Sequence, residues 1–324
     1  MKDLRLSIAM CTHDGSRFLS EQLESIAAQG RLPDELIICD DCSADATPEI
    51  LERFRQRASF PVRVELSQKN LGTTKNFEKA IELCQEEVIA LADQDDIWHP
   101  EKLGRVMEVF RRDQGLGAVF SDADLIDAEG RPLSKTLWGS AFFTVREQQK
   151  FHEGQGLKIM LKHPTVTGAT MAFRSKFRDL VLPIPSSQIH DHWIALLIAS
   201  VSHLAPIRNA LIKYRKHDGQ QIGPGNIDSP WQQIRVSRQT GRNYLSEAER
   251  FSEVYDRLCD CSATFPPHRY ALDLMRQKIR HQKSRGSFPN SKFSRIPPII
   301  REIASLRYWR YSNGLGSVAK DLLV

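Results

Sequence analysis

The chain has 324 residues, of which 41% are hydrophobic and 26% charged, with a formal net charge of +5. These values exclude a disordered, collagen-like or disulfide-stapled chain, and the length suits one large α/β domain with an appendage, or two domains. No apolar run is long enough to cross a bilayer and no secretory signal precedes the first predicted strand, so we expect a cytoplasmic protein with its six cysteines reduced.

The first 120 residues alternate predicted strands with predicted helices. Strands are predicted at residues 4–10, 35–39, 62–66, 88–92 and 117–121, and helices at 19–27, 47–57, 73–84 and from Pro100 onward. This alternation predicts an α/β fold with a doubly wound, mostly parallel sheet flanked by helices. Polar clusters at 12–15, 40–41, 69–72 and 93–96 all follow strands, at the sheet edge where such folds bind ligands.

After residue 120 the alternation becomes irregular. Helices are predicted at 157–162 and 191–200, and strands at 170–173 and 210–214. A Gly/Pro-rich turn at 219–230 marks the main predicted boundary. From residue 231 the chain is predicted to be helical, with breaks at Pro266-Pro267 and Pro297-Pro298.

Three carboxylates follow the fourth predicted strand, at Asp93, Asp95 and Asp96. Carboxylates crowded behind an apolar strand repel each other and resist loss of solvent, so they require a positive partner. Mg²⁺ and Mn²⁺ prefer oxygen ligands and are often held by one or two carboxylates together with substrate phosphates. The alternative is a charge cluster at a helix N-terminus. The chain has neither a G-x-G-x-x-G after its first strand nor a P-loop, so a bound phosphate must be held by other means.

Four short motifs follow one another in the first hundred residues. They are Thr12-His13-Asp14, Asp40-Asp41-Cys42-Ser43-Ala44-Asp45-Ala46-Thr47, Asn70-Leu71-Gly72 and Asp93-Gln94-Asp95-Asp96-Ile97-Trp98-His99-Pro100. In this order they resemble the inverting family 2 glycosyltransferases of the GT-A fold. The resemblance implies transfer of a sugar from a nucleoside diphosphate, with Mn²⁺ or Mg²⁺ as cofactor. It also divides the chain into a GT-A domain at 1–230, with a nucleotide-binding half (1–118) and an acceptor-side half (119–230), and a basic helical region at 231–324.

The resemblance assigns roles to individual positions. The implied donor-binding residues are Thr12, His13, Asp40, Asp41, Asn70, Lys75, Asp93 and Arg215. His13 replaces the aromatic residue usual at its position, although an imidazole can still stack on a base. The implied metal ligands are Asp95, Asp93 and His217, the last from a Y-R-x-H element that also contains Arg215.

The second half contains His190-Asp191-His192-Trp193 at the start of a predicted helix. Asp191 is either a helix cap or, by the resemblance, the general base that takes the proton of the acceptor hydroxyl. The segment with Gly168 and Thr170 resembles the acceptor side of the family, with an ordinary strand entry as the alternative. Trp193 either stacks on an acceptor sugar or fills the core.

The H-D-x-W and Y-R-x-H elements resemble the bacterial rhamnosyltransferase-like subset of the family, which acts in surface polysaccharide synthesis. This makes dTDP-rhamnose the first donor hypothesis, a UDP-sugar the second, and a glycan or lipid-linked hydroxyl the acceptor. Two other functions remain open: a sugar-1-phosphate nucleotidyltransferase, although residues 11–19 lack its Gly-rich basic loop, and a noncatalytic nucleotide-sugar-binding scaffold.

Charge is unevenly distributed along the chain. Residues 264–324 hold twelve Lys and Arg residues against three acidic ones, which leaves the rest of the chain net acidic. A basic helical segment with aromatic residues is typical of a peripheral contact with an anionic membrane, here at the inner face of the cytoplasmic membrane. The alternative is packing of these helices on the catalytic domain. No nucleic-acid-binding module is recognisable, so we expect no nucleic-acid partner.

Overall fold

A computed structural model describes residues 4–218, 240–289 and 291–323. Within them one nine-stranded sheet has the order β3-β2-β1-β4-β8-β6-β9-β5, with β7 paired to β6. The strands are β1 Leu6–Thr12, β2 Glu35–Asp40, β3 Val62–Leu66, β4 Val88–Ala92, β5 Ile97–Trp98, β6 Leu116–Ile126, β7 Pro132–Thr136, β8 Met171–Arg174 and β9 His203–Arg215.

The first four strands of this order are parallel. Met10 of β1 lies opposite Ile38 of β2 on one side and Ala92 of β4 on the other, so these three strands end at one edge of the sheet. Strand β8 is antiparallel to both β4 and β6, while β6 and β9 run parallel to each other. The loops after β1, β2 and β4 therefore meet at a single edge, as the sequence predicted.

Helices cover both faces of the sheet. They are α1 Leu19–Ala27, α2 Thr47–Arg57, α3 Thr73–Leu83, α4 Lys102–Arg112, α5 Leu137–Ser140, α6 Val145–His152, α7 Gly156–Met160, α8 Arg178–Val181, α9 His190–Val201, α10 Thr240–Asp260, α11 Ala271–Gly286, α12 Lys292–Ala304, α13 Arg307–Tyr311 and α14 Leu315–Leu323. One core contains Leu23, Leu51 and Val106 from α1, α2 and α4. The other contains Phe77 of α3 and Ile194 of α9. Because α1, α2 and α4 pack on one face of the sheet and α3 and α9 on the other, the predicted doubly wound α/β fold is confirmed.

The helices α10 and α11 complete one of these cores. Val254, Leu258 and Met275 belong to the same buried cluster as Ile194 of α9. The Arg257 guanidinium also donates hydrogen bonds to backbone carbonyls around α8. This part of the basic region is therefore packed against the sheet domain. The predicted boundary at 219–230 lies outside the described residues.

The predicted helix breaks have different outcomes. Pro266-Pro267 lies between α10 and α11, which confirms the first break. The break predicted at Pro297-Pro298 is wrong, because both residues lie inside α12. Each proline leaves one carbonyl without its helical donor, on Phe293 and Ser294. Both of these residues are exposed in the first turn of the helix, where water can satisfy their carbonyls.

Candidate functional site

A cavity of about 1580 Å³ opens at the edge where the parallel strands end. Of the residues that the sequence predicted for the site, those in its lining are Thr12, His13, Asp41, Asp93, Asp95, Gly168, Asp191 and His217. The predicted residues outside the lining are Asp40, Asn70, Lys75, Thr170, Trp193 and Arg215. The structure thus brings the acidic loop and Asp191 to one cavity, and it gives several other motif residues different surroundings.

The two aspartates at the C-terminal end of β2 fix two neighbouring segments. Asp40 is 1% exposed and accepts hydrogen bonds from the Thr12 hydroxyl at 2.7 Å and from the backbone and hydroxyl of Ser43. Asp41 lines the cavity and accepts hydrogen bonds from the backbone amides of Leu71 and Gly72. Asp40 therefore shapes the loop from behind the cavity wall, and Asp41 fixes the N-x-G turn.

Gln94, the middle residue of the acidic motif, links that motif to the first loop. Its side-chain oxygen accepts a hydrogen bond from the His13 amide at 2.8 Å, and its side-chain nitrogen donates one to the His13 carbonyl at 3.0 Å. Gly15 faces this side chain, and a Cβ at Gly15 would lie 2.3 Å from Gln94 Oε1. This contact is not predicted by the sequence, because the motif specifies only its acidic positions.

The acidic loop carries strong electrostatic repulsion. Desolvation raises the pKa of Asp93 to about 7, and the negative charges of Asp95 and Asp191 add to the effect. Asp96 is 1% exposed, and burial raises its pKa well above the ordinary value. His217 Nε2 lies 2.8 Å from Asp95 Oδ2. This arrangement favours any positive charge that enters the cavity.

The residues suit a cation that is shared with a substrate. Among the described residues, no group of three carboxylate, imidazole or thiol side chains converges closely enough to hold a metal ion by itself. Asp95 and His217, which both line the cavity, are nevertheless in contact with each other. Asp93 is close enough to Asp95 for that charge to raise its pKa. Two protein ligands completed by phosphate oxygens and water are typical of Mg²⁺ sites.

Arg215 is buried behind the acidic loop and bonds to its backbone. Its side chain is 2% exposed, its Nε donates a hydrogen bond to the Asp95 carbonyl at 2.8 Å, and its Nη1 donates one to the Ala128 carbonyl at 3.1 Å. Its Nη2 is paired with the Glu21 carboxylate, and the guanidinium lies 4.7 Å from the centre of the Phe18 ring. A phosphate-binding role does not fit this buried position. The side chain instead holds the backbone of the D-x-D motif.

Lys102 is a second buried cation that the sequence analysis missed. It is 1% exposed, its Nζ donates a hydrogen bond to the Ala169 carbonyl at 2.6 Å, and it lies 3.8 Å from the centre of the Trp98 ring. Burial lowers its pKa to about 7, while the charges of Asp96 and Asp93 act in the opposite direction. Lys102 therefore joins the start of α4 to the segment before β8, within electrostatic range of the acidic loop.

Asp191 is fixed at the start of α9. Its Oδ2 accepts a hydrogen bond from the Gly168 amide at 2.8 Å, and its Oδ1 accepts one from the His192 amide at 2.6 Å. A Cβ at Gly168 would lie 2.9 Å from His190 Nε2 and 3.3 Å from the Cβ of Asp191. Glycine is therefore the residue that permits this close approach. His190 stacks on Phe77 with ring centres 4.0 Å apart.

Three predicted residues have other roles. Trp193 is 1% exposed and its indole nitrogen donates a hydrogen bond to the Val181 carbonyl at 2.7 Å, so it fills the core and cannot stack on a sugar. Thr170 is buried and its hydroxyl donates a hydrogen bond to the Thr167 carbonyl. Lys75 forms an ion pair with Glu78 one turn along α3 and does not line the cavity.

The C-terminal helices form one wall of the cavity. Glu247, Arg250, Phe251 and Lys278 belong to its lining. The His192 ring meets the edge of Phe251 with centres 5.9 Å apart, directly beside Asp191. The sequence of this region indicates membrane contact or packing on the catalytic domain, and nothing in it indicates a place in the cavity wall. No local signal could have found it, because these residues are distant in the chain from every motif.

The family model described as Glycosyl transferase family 2 matches residues 7–181, more than half of the chain. The chain belongs to glycosyl transferase family 2. This confirms the resemblance that the four motifs carried. The match contains the acidic loop and Gly168 and ends before Asp191 and the C-terminal helices.

Relatives of this family 2 chain differ in how much they share with it. The dTDP-rhamnosyl transferase RfbG of Shigella flexneri is 33% identical over 261 residues, which is 76% of this chain and 84% of that protein. An uncharacterized glycosyltransferase of Nostoc sp. is 28% identical over 132 residues, 41% of this chain and 40% of that protein. The chain thus spans less than half of the length of the first curated relatives it matches.

Solved structures share the fold of this family 2 chain. The crystal structure of S. aureus TarS in complex with UDP-GlcNAc has a TM-score of 0.56 and 16% identity, over 98% of this chain and 90% of that one. A mannosyltransferase from Pyrobaculum calidifontis, in complex with GDP-Man and Mn²⁺, has a TM-score of 0.53 and 14% identity, over 100% and 86% of the two chains. None of the helices that the structure describes has the length and hydropathy needed to span a membrane.

Proposed function

We propose that the protein is a metal-dependent, inverting glycosyltransferase that moves a sugar from a nucleoside diphosphate to an acceptor hydroxyl. The observation that carries the proposal is the convergence of the acidic loop and Asp191 on one cavity. The two groups are near enough for the charge of Asp191 to help raise the pKa of Asp93. Family membership and the fold of the solved relatives support it.

Asp191 is the proposed general base. Because one backbone amide holds each of its oxygens, the carboxylate keeps a fixed direction and each oxygen retains a lone pair for the acceptor hydroxyl. Asp191 takes the proton of the acceptor hydroxyl as the hydroxyl oxygen attacks the anomeric carbon from the face opposite the diphosphate. The bond between that carbon and the diphosphate breaks in the same step. A single displacement with a single base inverts the anomeric centre.

Asp95, His217 and Asp93 are the proposed ligands of the cation. When bound, Mn²⁺ or Mg²⁺ offsets the charge that develops on the departing diphosphate. Arg215 and Gln94 keep the loop in place through the Asp95 carbonyl and the His13 backbone. Thr12, His13 and Asp41 line the cavity where the nucleoside is proposed to bind.

The proposed donor is dTDP-rhamnose, with a UDP-sugar as the rival. The first is supported by the extensive match to a dTDP-rhamnosyl transferase, and the second by a structural relative with bound UDP-GlcNAc. The proposed acceptor is a glycan or lipid-linked hydroxyl in bacterial surface polysaccharide synthesis. A relative described as a putative teichuronic acid biosynthesis glycosyltransferase supports this setting. A lipid-linked acceptor would place the protein at the inner face of the cytoplasmic membrane.

The test is donor turnover by the purified chain with Mn²⁺ and a panel of nucleotide sugars. Asp191→Asn is expected to retain donor binding in a thermal-shift assay but to lose turnover by about 10²–10⁴-fold, the usual contribution of a positioned base. Asp95→Asn and chelation of the metal are expected to weaken donor binding as well. Asp179→Asn is the control, because this exposed aspartate in the first turn of α8 does not line the cavity.

Other outcomes would replace the proposal. Cleavage of the nucleotide sugar by pyrophosphate, giving a nucleoside triphosphate and a sugar 1-phosphate, would identify a sugar-1-phosphate nucleotidyltransferase. Donor binding without turnover, equal in the parent chain and in Asp191→Asn, would identify a noncatalytic scaffold.

A further inference from the structure

The C-terminal helix α12 exposes an apolar stripe. Phe293 is 85% exposed, Ile300 57% and Ile296 41%. Their spacing of three and four residues places them on one face of the helix. A neighbouring face of the helix packs inward, where Ile299, only 2% exposed, belongs to a small core that includes Tyr308. Exposed apolar residues grouped on one helix face, rather than scattered singly, are the pattern seen at interaction sites.

Aromatic and apolar exposure continues just beyond α12. Leu306 is 52% exposed and Trp309 is 40% exposed. A partly exposed tryptophan beside basic residues is typical of a protein that rests in the headgroup layer of a bilayer.

Ion pairing inside this region removes most of its negative charge from the surface. Of the three acidic residues in 264–324, Glu302 and Asp321 are 2% and 6% exposed. Glu302 pairs with His281 and Arg307, and Asp321 pairs with Arg285. The third acidic residue, Asp273, is exposed.

The basic residues are distributed differently. Exposed Lys and Arg residues of the region are Arg269, Arg276, Arg280, Lys283, Lys292, Arg301 and Arg310. Three of them, Lys292, Arg301 and Arg310, belong to the same segment 291–323 as the apolar stripe, and both acidic residues of that segment are buried, so its exposed charge is positive. This combination matches an anionic bilayer, which offers hydrocarbon to the stripe and negative headgroups to the bases.

We propose that the apolar stripe of Phe293, Ile296 and Ile300, together with the exposed Leu306 and Trp309 that follow it in the chain, binds the surface of an anionic membrane; we call these five residues the docking face. The apolar side chains enter the boundary between headgroups and acyl chains, and the flanking bases contact lipid phosphates. The proposal deepens the proposed function and rests on it in one respect, since a lipid-linked acceptor would lie in the same bilayer.

The test is flotation of the full chain with vesicles of phosphatidylcholine alone or of equal parts of phosphatidylcholine and phosphatidylglycerol. We expect binding to the anionic vesicles that falls as salt rises, and much weaker binding to the neutral ones. The double variant Phe293→Ser, Ile300→Ser is expected to lose at least about tenfold in affinity for the anionic vesicles, because each side chain loses its transfer out of water.

A matched control separates this effect from general loss of apolar surface. Leu66→Ser removes an apolar side chain that is 56% exposed on β3 and should bind vesicles as the parent chain does. Equal vesicle binding by the double variant and the parent chain would overturn the proposal. So would a parent-chain dimer, detected by analytical ultracentrifugation, that the double variant abolishes, since a second copy would then cover the docking face.

Donor turnover distinguishes this proposal from the proposed function. The docking face lies outside the cavity lining, so the double variant is expected to keep the parent rate toward donor in the absence of lipid. Vesicle binding without any donor turnover would leave the docking face standing and refute the enzyme. Donor turnover without vesicle binding would refute the docking face and leave the proposed enzyme standing.

Discussion

Trp193→Phe distinguishes a core residue from an acceptor platform. The indole nitrogen donates a hydrogen bond to the Val181 carbonyl, and the side chain is 1% exposed. The substitution removes that bond, leaves a buried carbonyl unsatisfied and opens a small cavity where the larger ring lay. The bond and the orphaned carbonyl together cost about 2–3 kcal/mol, and the cavity raises the expected loss of unfolding free energy to about 2–4 kcal/mol.

The assay is urea unfolding followed by circular dichroism, combined with acceptor KM measured well below the unfolding transition. Trp309→Phe is the control, because Trp309 is 40% exposed and its replacement should change stability by less than about 0.5 kcal/mol. The acceptor KM of Trp193→Phe should remain close to that of the parent chain. A Trp193→Phe chain with parent stability and a raised acceptor KM would show that the ring contacts the acceptor and would refute the reasoning.

Three further substitutions test other contacts. Arg215→Lys keeps the positive charge but loses the planar guanidinium that bonds the Asp95 and Ala128 carbonyls, so the donor KM should rise about tenfold or more. If Arg215 only supplied charge to a phosphate, the donor KM would change little. Gly15→Ala brings a Cβ to 2.3 Å from Gln94 Oε1 and should displace that side chain, which should reduce the thermal shift caused by UDP or dTDP. Asp321→Asn leaves the buried Arg285 charge uncompensated and should lower the free energy of unfolding by about 3–5 kcal/mol in urea.

Two of these substitutions have a matched control. Gly104→Ala lies in α4 with nothing within 4 Å of the added Cβ, so its nucleotide-induced shift should equal that of the parent chain. Asp273→Asn changes an exposed aspartate on α11 and should leave stability within about 0.5 kcal/mol. An unchanged donor KM in Arg215→Lys would restore a simple charge role. Equal effects of the two aspartate variants would contradict the buried pair.

The parallel half of the fold could be predicted from the sequence because three of its four strands, β1, β2 and β4, are buried almost throughout and read as apolar runs. The run Val88–Ala92 is uniformly apolar and appears as β4 with the predicted bounds. The antiparallel additions carry weaker signals. Strand β7, Pro132–Thr136, has four exposed residues out of five, and β5, Ile97–Trp98, has only two residues. Neither length nor periodicity could reveal them.

The motifs located the candidate site but did not show which side of each loop faces the cavity. Asp40 and Asp41 are adjacent in the chain, yet only Asp41 lines the cavity. Trp193 and Asp191 are two residues apart on α9, and the helical turn directs them to core and cavity respectively. Lys278 lines the same cavity but lies on α11, which contains none of the motifs. Only tertiary packing brings α11 next to α9, so the sequence gives no sign of this contact.

The shared core beneath α9 has a practical consequence for chain engineering. Val254, Leu258 and Met275 fill the same buried cluster as Ile194. A polypeptide that stopped at residue 181, where the family match ends, would therefore lack α9 together with α10 and α11, which share that cluster. Hybrids made to exchange acceptor preference between relatives should therefore transfer α9, α10 and α11 together. The junctions between the two parent sequences should lie in exposed loops outside these three helices.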